Sequence, residues 1–82
     1  MQLDKMAEQL ANAFPGEHAV LDGDGYKFEA TVVSEKFDNA NTLARHKLVY
    51  AAVDSFIKSG ELHALSIKAY SPSEWEAIQP LS

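Results

Sequence analysis

The stretch Leu62–His63–Ala64–Leu65–Ser66–Ile67–Lys68–Ala69–Tyr70 decides the fold. It combines β-branched, aromatic and aliphatic residues in a short run between two helical patterns, which predicts a strand. Because side chains alternate across a strand, every second residue is predicted to share one apolar face: His63, Leu65, Ile67 and Ala69. His63 stands at the entry to that face, where a histidine can be solvated, hydrogen-bonded or a metal ligand.

Two further strands are predicted earlier in the chain. The segments Glu17–Leu21 and Tyr26–Ser34 are separated by Asp22–Gly23–Asp24–Gly25, a doubled Asp-Gly signal that predicts a β-hairpin. The packed face of the second strand carries Phe28, Ala30 and Val32. An acidic, glycine-bearing turn also suggests calcium, but this one lacks the remaining ligands and the closing glutamate of a calcium loop. Turn chemistry is therefore the favoured explanation.

The first helix is predicted before Pro15–Gly16, which ends it. Its apolar positions recur at helical spacing: Leu3, Met6, Ala7, Leu10 and Phe14. The stripe could dock a partner helix instead of the core. A small domain needs all its apolar faces, so we assign the stripe to the core.

A second helix is predicted from Leu43 to Lys58, ending at Gly60. Asn39 before it suits a left-handed backbone position, and Asn41 or Thr42 can cap it. Its core side is predicted to carry Leu43, Tyr50, Val53 and Ile57, flanked by Val49 and Phe56.

The last helix is short and begins with a strong local signal. Ser71–Pro72–Ser73–Glu74 predicts a capping box with proline in the first turn. Trp75 is predicted to form a lid over the sheet on the core side, with Ile78 one turn later and Pro80 after the helix. The long crossover before the final strand permits parallel pairing, so the order predicts an α+β fold with a three-stranded mixed sheet packed by helices.

Composition limits the possible functions of this 82-residue chain. Twelve acidic against seven basic residues give a net charge of −5, which disfavours broad nucleic-acid binding. The one basic cluster, Arg45–His46–Lys47, is either a solvated helix face or a partner or nucleic-acid contact surface. No cysteine is present, so a disulfide or thiolate ligand from this chain is excluded. The chain has no apolar run of membrane-spanning length and its start lacks a signal-peptide pattern, so we expect a cytoplasmic protein.

No catalytic constellation is evident in the sequence. The three histidines, His18, His46 and His63, lack the spacing of a self-contained metal site. The serines have no nucleophile-elbow context, and no glycine-rich phosphate loop opens a helix. Asp22 and Asp24 lie on a turn where little would raise either pKa for general-acid work. The residues alone therefore predict a small interaction domain without catalysis.

Four blocks together resemble the BolA family: Val33–Phe37, Arg45–Tyr50, Leu62–Ser66 and Ser71–Trp75. The resemblance implies a single BolA-like domain over residues 1–82 with a type II KH-like fold of order αββααβα. It also implies a non-enzymatic protein that partners monothiol glutaredoxins and shares a glutathione-dependent [2Fe-2S] cluster. Some relatives are considered DNA-binding regulators of stress response and cell shape, which is the alternative function. Alone, such a chain is expected to hold no cofactor and to be a monomer or weak homodimer.

The resemblance also assigns candidate ligands. The family's cluster histidine falls on His63, and its second ligand, a cysteine or histidine, should fall within Asp22–Lys27. Asp24 stands about where the cysteine type places that ligand, and Lys27 about where related short members carry histidine. His18 lies nearby in sequence, in the first predicted strand. The metal ligands predicted from the resemblance are therefore His63 and Asp24, with glutathione and a cysteine from the partner.

Overall fold

The computed structural model describes residues 2–79. Its elements are α1 (Gln2–Ala13), β1 (His18–Gly23), β2 (Phe28–Val33), a 3-10 turn (Glu35–Phe37), α2 (Thr42–Ala52), α3 (Asp54–Lys58), β3 (Leu65–Tyr70) and α4 (Pro72–Ile78). The predicted α+β order αββααβα is confirmed. No helix within the described residues is long and apolar enough to cross a membrane.

The sheet has β2 at its centre, with β1 antiparallel on one side and β3 parallel on the other. The predicted mixed sheet is therefore confirmed, and β3 is one of its two edge strands. One row of paired residues lies at each end of the sheet. We call them the hairpin end (Gly23, Phe28 and Leu65) and the α4 end (His18, Val33 and Tyr70). Because β2 and β3 are parallel, the turn between β1 and β2 and the loop before β3 meet at the hairpin end.

The core lies between one face of the sheet and the helices α1, α2 and α3. Its buried members are Met6, Leu10, Phe14, Leu21, Phe28, Ala30, Val32, Phe37, Val49, Val53 and Leu62. The predicted stripe of α1 and the predicted packed face of β2 are both confirmed. Full burial of each large apolar side chain contributes about 1.5–3 kcal/mol, so this shared layer is the main source of stability.

The hairpin turn differs in its bounds from the prediction. Strand β1 continues through Asp22 and Gly23, which pair with Glu29 and Phe28. The turn itself spans residues 24–27, because the Asp24 backbone N–H donates to the Lys27 carbonyl at 3.1 Å. Of the two Asp-Gly pairs, Asp22–Gly23 therefore ends β1, and Asp24–Gly25 lies in the turn.

The predicted strand over residues 62–70 is wrong at its beginning. Strand β3 starts at Leu65, and Ala64 before it has a left-handed φ of 48°. This residue ends the regular alternation of side chains, so His63 lies in the loop before β3, where its ring contacts Phe28, the partner of Leu65 on β2. Leu62 is buried in the core, whereas His63 is exposed.

The predicted helix from Leu43 to Lys58 breaks at Val53, whose φ of −121° and ψ of 24° are not helical. Val53 is buried at the break and Ile57 in α3 packs against the core, as predicted, but in α2 the buried residue is Val49, which was predicted to flank that side. Leu43 is 63% and Tyr50 is 41% exposed, and their assignment to the core is wrong. The Gln9 side-chain amide donates to the Ala52 carbonyl at 3.1 Å, which satisfies a backbone acceptor at the break.

The local signals at the other helix ends are confirmed. Asn39 has a φ of 62°, and the Asn41 carboxamide oxygen accepts the Ala44 N–H at 2.8 Å. Ser71 and Glu74 form the predicted capping box at the start of α4. Pro80 lies outside the described residues.

Trp75 covers the sheet, but on the face opposite the core. Its ring stacks on His18 at a centroid distance of 5.2 Å and meets Tyr70 at 5.5 Å. Both partners belong to the α4 end and alternate with residues that face the core. The indole is half-buried, so its assignment as a core lid is wrong.

Candidate functional site

His63 stands at the hairpin end of the sheet, in the loop before β3. Its side chain is exposed, and its ring meets the buried Phe28 ring edge-on at a centroid distance of 5.9 Å. Within residues 2–79 its ring nitrogens have no hydrogen-bond partner. Of the three roles open to this histidine, a hydrogen-bonded strand end is therefore wrong, and both nitrogens are accessible to an incoming metal.

Asp24 lies at the same end of the sheet, in the turn that follows β1. One of its carboxylate oxygens, Oδ1, accepts the Tyr26 and Lys27 backbone N–H groups at 2.8 Å each. The N–H of Lys27, followed by that of Tyr26, lowers the pKa of the Asp24 carboxyl. The carboxylate is therefore fixed as a turn-forming acceptor, with only Oδ2 left to meet a metal.

His63 and Asp24 provide only part of the ligand set that a metal cluster needs. An exposed imidazole is a good ligand for iron, whereas a carboxylate is harder than imidazole or thiolate. The described residues contain no group of three or more histidine, aspartate or glutamate side chains that could hold a metal ion. The donor set therefore suits a cluster completed by a partner, not one held by this chain alone.

His18 cannot complete the set. It is the first residue of β1 and pairs with Val33 at the α4 end, whereas Asp24 follows the last residue of that strand. A six-residue strand separates the two positions by about 17–20 Å. The structure thus excludes His18 as a substitute ligand beside His63.

Arg45 is held inside the fold and its side chain is only 14% exposed. Its Nε donates to the Ala40 carbonyl at 2.9 Å, and its Nη1 to the Ala69 carbonyl at 3.0 Å. Both terminal nitrogens bond the Glu74 carboxylate, at 2.6 Å and 3.2 Å. This bidentate contact ties α2 to the end of β3 and to α4, so the guanidinium is occupied by structural partners.

The Arg45–Glu74 pair predicts a pH dependence of folding. The Arg45 guanidinium, followed by the Ser71 N–H, lowers the pKa of Glu74 from 4.5 to about 2. The stabilisation of the fold by the Arg45–Glu74 pair is therefore complete above the ordinary pKa of a glutamate, and it is lost as pH falls towards 2. Glu74→Gln is expected to reduce the acid-induced loss of stability, measured as urea midpoints between about pH 6 and pH 2.5. Glu76→Gln on the same helix should retain the wild-type profile; an unchanged profile in Glu74→Gln would contradict the role of the pair.

The rest of the basic cluster lies on α2. His46 is half-buried and Lys47 is exposed, one turn from Leu43 and Tyr50. Sequence periodicity missed this exposed apolar surface because it assigned both residues to the core. Arg45 bonds the Ala69 carbonyl near the end of β3, whereas His63 precedes the start of that strand. The basic cluster and His63 therefore lie at opposite ends of β3. The structure does not join them in one site.

The order of elements and the mixed sheet define an α+β domain of the type II KH-like class. A family model described as BolA-like protein matches residues 8–74. The acid stress protein IbaG of Escherichia coli strain K12 is 33% identical over 82 residues, covering 100% of this chain and 98% of that protein. The chain belongs to the BolA family.

Two further relatives agree with this assignment. A protein of Acinetobacter guillouiae, described as an uncharacterized protein in the rpoN-murA intergenic region, is 35% identical over 75 residues. The alignment covers 92% of this chain and 90% of that protein. The structure of a BolA protein homologue from Coxiella burnetii superimposes with a TM-score of 0.74 at 35% identity. It covers 89% of this chain and 94% of that chain, so the likeness extends over nearly the whole fold.

Proposed function

We propose that this chain is a non-enzymatic, cytoplasmic adaptor that binds a monothiol glutaredoxin and contributes a ligand to a glutathione-dependent [2Fe-2S] cluster shared between them. The observation that carries the proposal is the exposed His63 imidazole, whose nitrogens are unpaired within the described residues. Membership of the BolA family supports the partner class, because the resemblance in sequence implies that partner.

The division of ligands follows the BolA resemblance, and the side chains at the hairpin end supply this chain's part of it. His63 supplies a nitrogen, while the partner supplies a cysteine and glutathione sulfur. Replacing a thiolate by imidazole raises the reduction potential of such a cluster, as centres with two histidines illustrate. The cluster is then cargo passed between proteins in iron-sulfur trafficking or iron regulation. Asp24 is the weaker second donor, because its Oδ1 already accepts two backbone N–H groups.

The proposal predicts that His63→Ala changes or abolishes the visible circular dichroism of the complex. The chain is mixed with a cluster-loaded monothiol glutaredoxin and glutathione under anaerobic conditions, and the complex is isolated by size exclusion. His18→Gln is the matched control, since it removes an exposed histidine at the α4 end. An unchanged spectrum and an unchanged complex in His63→Ala would exclude His63 as a ligand.

DNA binding is the alternative and has less support from the contacts. Arg45 is committed to Ala40, Ala69 and Glu74, which leaves His46 and Lys47 of the basic cluster. So few phosphate contacts on a chain of net charge −5 would give weak binding with a shallow salt dependence. Arg45→Ala is also a poor test of DNA contact, because it removes hydrogen bonds that hold the fold together. Lys47→Ala is the better test, because Lys47 is exposed.

A further inference from the structure

A buried aromatic ring and a glycine lie behind His63. Phe28 is 7% exposed, and its ring contacts the His63 imidazole edge-on. Gly23 is its partner on β1, where an added Cβ would lie 2.4 Å from Phe28 Cδ1 and 2.9 Å from Cε1. No real Cβ tolerates such an approach. The Phe28 ring therefore occupies the space that a side chain at position 23 would need.

The backbone beside His63 is also unusual. Ala64 has a φ of 48°, in the left-handed region where a residue with a Cβ is strained. Its carbonyl accepts the Phe28 N–H at 3.2 Å, which fixes this strained turn against the start of β2. The same Phe28 thus holds the loop through its backbone and contacts the imidazole through its ring. Strained residues maintained by their surroundings cluster at functional sites.

We propose that Gly23, Phe28 and Ala64 are positioning residues that fix the direction of the exposed His63 imidazole. This inference rests on the proposed function, in which His63 is a ligand. A histidine in an unconstrained surface loop samples several rotamers, and ordering it on binding lowers the affinity. A ring held against Phe28 is already ordered, so less affinity is lost when the metal is bound.

The same residues also connect the two predicted ligands. Gly23 directly precedes Asp24, and the Phe28 ring packs over Gly23 on one strand while contacting His63 in the loop before β3. A displaced ring would therefore disturb both sides of the hairpin end. A purely structural role for Phe28 predicts lower stability in its variants without a specific effect on His63.

The first test is nuclear magnetic resonance of the isolated chain, without any cluster. The His63 ring protons are expected to show a ring-current shift from Phe28 that is lost in Phe28→Leu and retained in Phe28→Tyr. Gly23→Ala should displace these resonances too, whereas Val20→Ala, at an exposed position of the same strand, is the control. His63 resonances at wild-type positions in folded Phe28→Leu and Gly23→Ala would overturn the proposal.

Ala64→Gly keeps the test decisive if Phe28→Leu fails to fold. Glycine adopts the left-handed backbone without strain, so this variant should still fold; because glycine also reaches other backbone conformations, it should show more rotamer averaging of His63. In the glutaredoxin complex, Phe28→Leu or Ala64→Gly should accelerate cluster loss to a chelator, on the order of tenfold.

The outcomes separate this inference from the proposed function. An unchanged cluster lifetime in variants that move His63 would overturn the positioning role. If His63→Ala itself leaves the cluster lifetime unchanged, the proposed function fails, and the positioning role of these residues towards a metal fails with it. The resonance shifts in the isolated chain would then still establish the Phe28–His63 contact as packing alone.

Discussion

Asp24→Cys is expected to slow the loss of the shared cluster to a chelator, on the order of tenfold. The substitution places a soft thiolate where the BolA resemblance places the missing loop ligand. In the wild type, Asp24 Oδ1 accepts two backbone N–H groups, and the same contacts lower the pKa of its carboxyl. This carboxylate is therefore a poor iron ligand, and under the proposed function the wild-type cluster would rest mainly on His63. Cluster lifetime is measured as the decay of visible absorbance after chelator is added to the glutaredoxin complex.

Three variants control this experiment. Asp24→Ser retains an oxygen acceptor for the turn without a thiolate, and it should decay like the wild type. Asp24→Ala should also change the lifetime little. Asp22, the other acidic residue that could coordinate from this segment, is exposed on β1 before the turn, so Asp22→Cys tests whether a thiol must be at position 24. A wild-type cluster as durable as that of Asp24→Cys would show that another residue completes the site.

The largest effect on stability is expected from Phe37→Ala, at about 3–5 kcal/mol. Phe37 is completely buried in the 3-10 turn after β2, and its ring meets Phe14 at a centroid distance of 5.8 Å. The Arg45 guanidinium lies 5.8 Å from the centre of the same ring. Alanine would leave a cavity at the point where α1, the 3-10 turn and α2 meet. A loss of this size is a large part of the 5–15 kcal/mol that a typical domain has.

Urea unfolding followed by circular dichroism measures this loss. Phe37→Leu keeps most of the apolar volume and should cost clearly less than alanine. Tyr26→Ala removes an aromatic ring that is 79% exposed, and it should change stability by no more than about 0.5 kcal/mol. Equal losses in Phe37→Ala and Tyr26→Ala would contradict the assignment of Phe37 to the core.

Local chemistry in the sequence predicted much of the fold. The Ser71–Glu74 capping box, the Asn41 cap and the apolar stripe of α1 depend on residues close together in the chain, and all three are confirmed. The long crossover between β2 and β3 permitted parallel pairing, and the two strands are parallel in the structure. Such features need no knowledge of contacts between distant segments.

The errors arose where tertiary contacts override local pattern. No glycine or proline marks the helix break at Val53, so continuous periodicity assigned Leu43 and Tyr50 to the core. Ala64 adopts a left-handed backbone that alanine rarely adopts, so the sequence pattern wrongly extended the strand back to residue 62 and included His63 in it.

The candidate site was harder to predict for the same reason. Arg45 and Glu74 are distant in sequence, and no local pattern reveals their bidentate contact. The contact between Gly23 and Phe28 did leave a signal, because a glycine inside a strand often marks a close approach. That signal was masked because Gly23 was assigned to the turn.

The central claim is that His63 binds the iron of the shared cluster through a ring nitrogen. Electron–nuclear double resonance on the reduced cluster tests it most directly, with ¹⁵N-histidine incorporated only into this chain of the glutaredoxin complex. We expect a ¹⁵N hyperfine coupling that persists in His18→Gln and disappears in His63→Ala. A wild-type complex without this coupling, or a coupling that survives His63→Ala, would contradict the account.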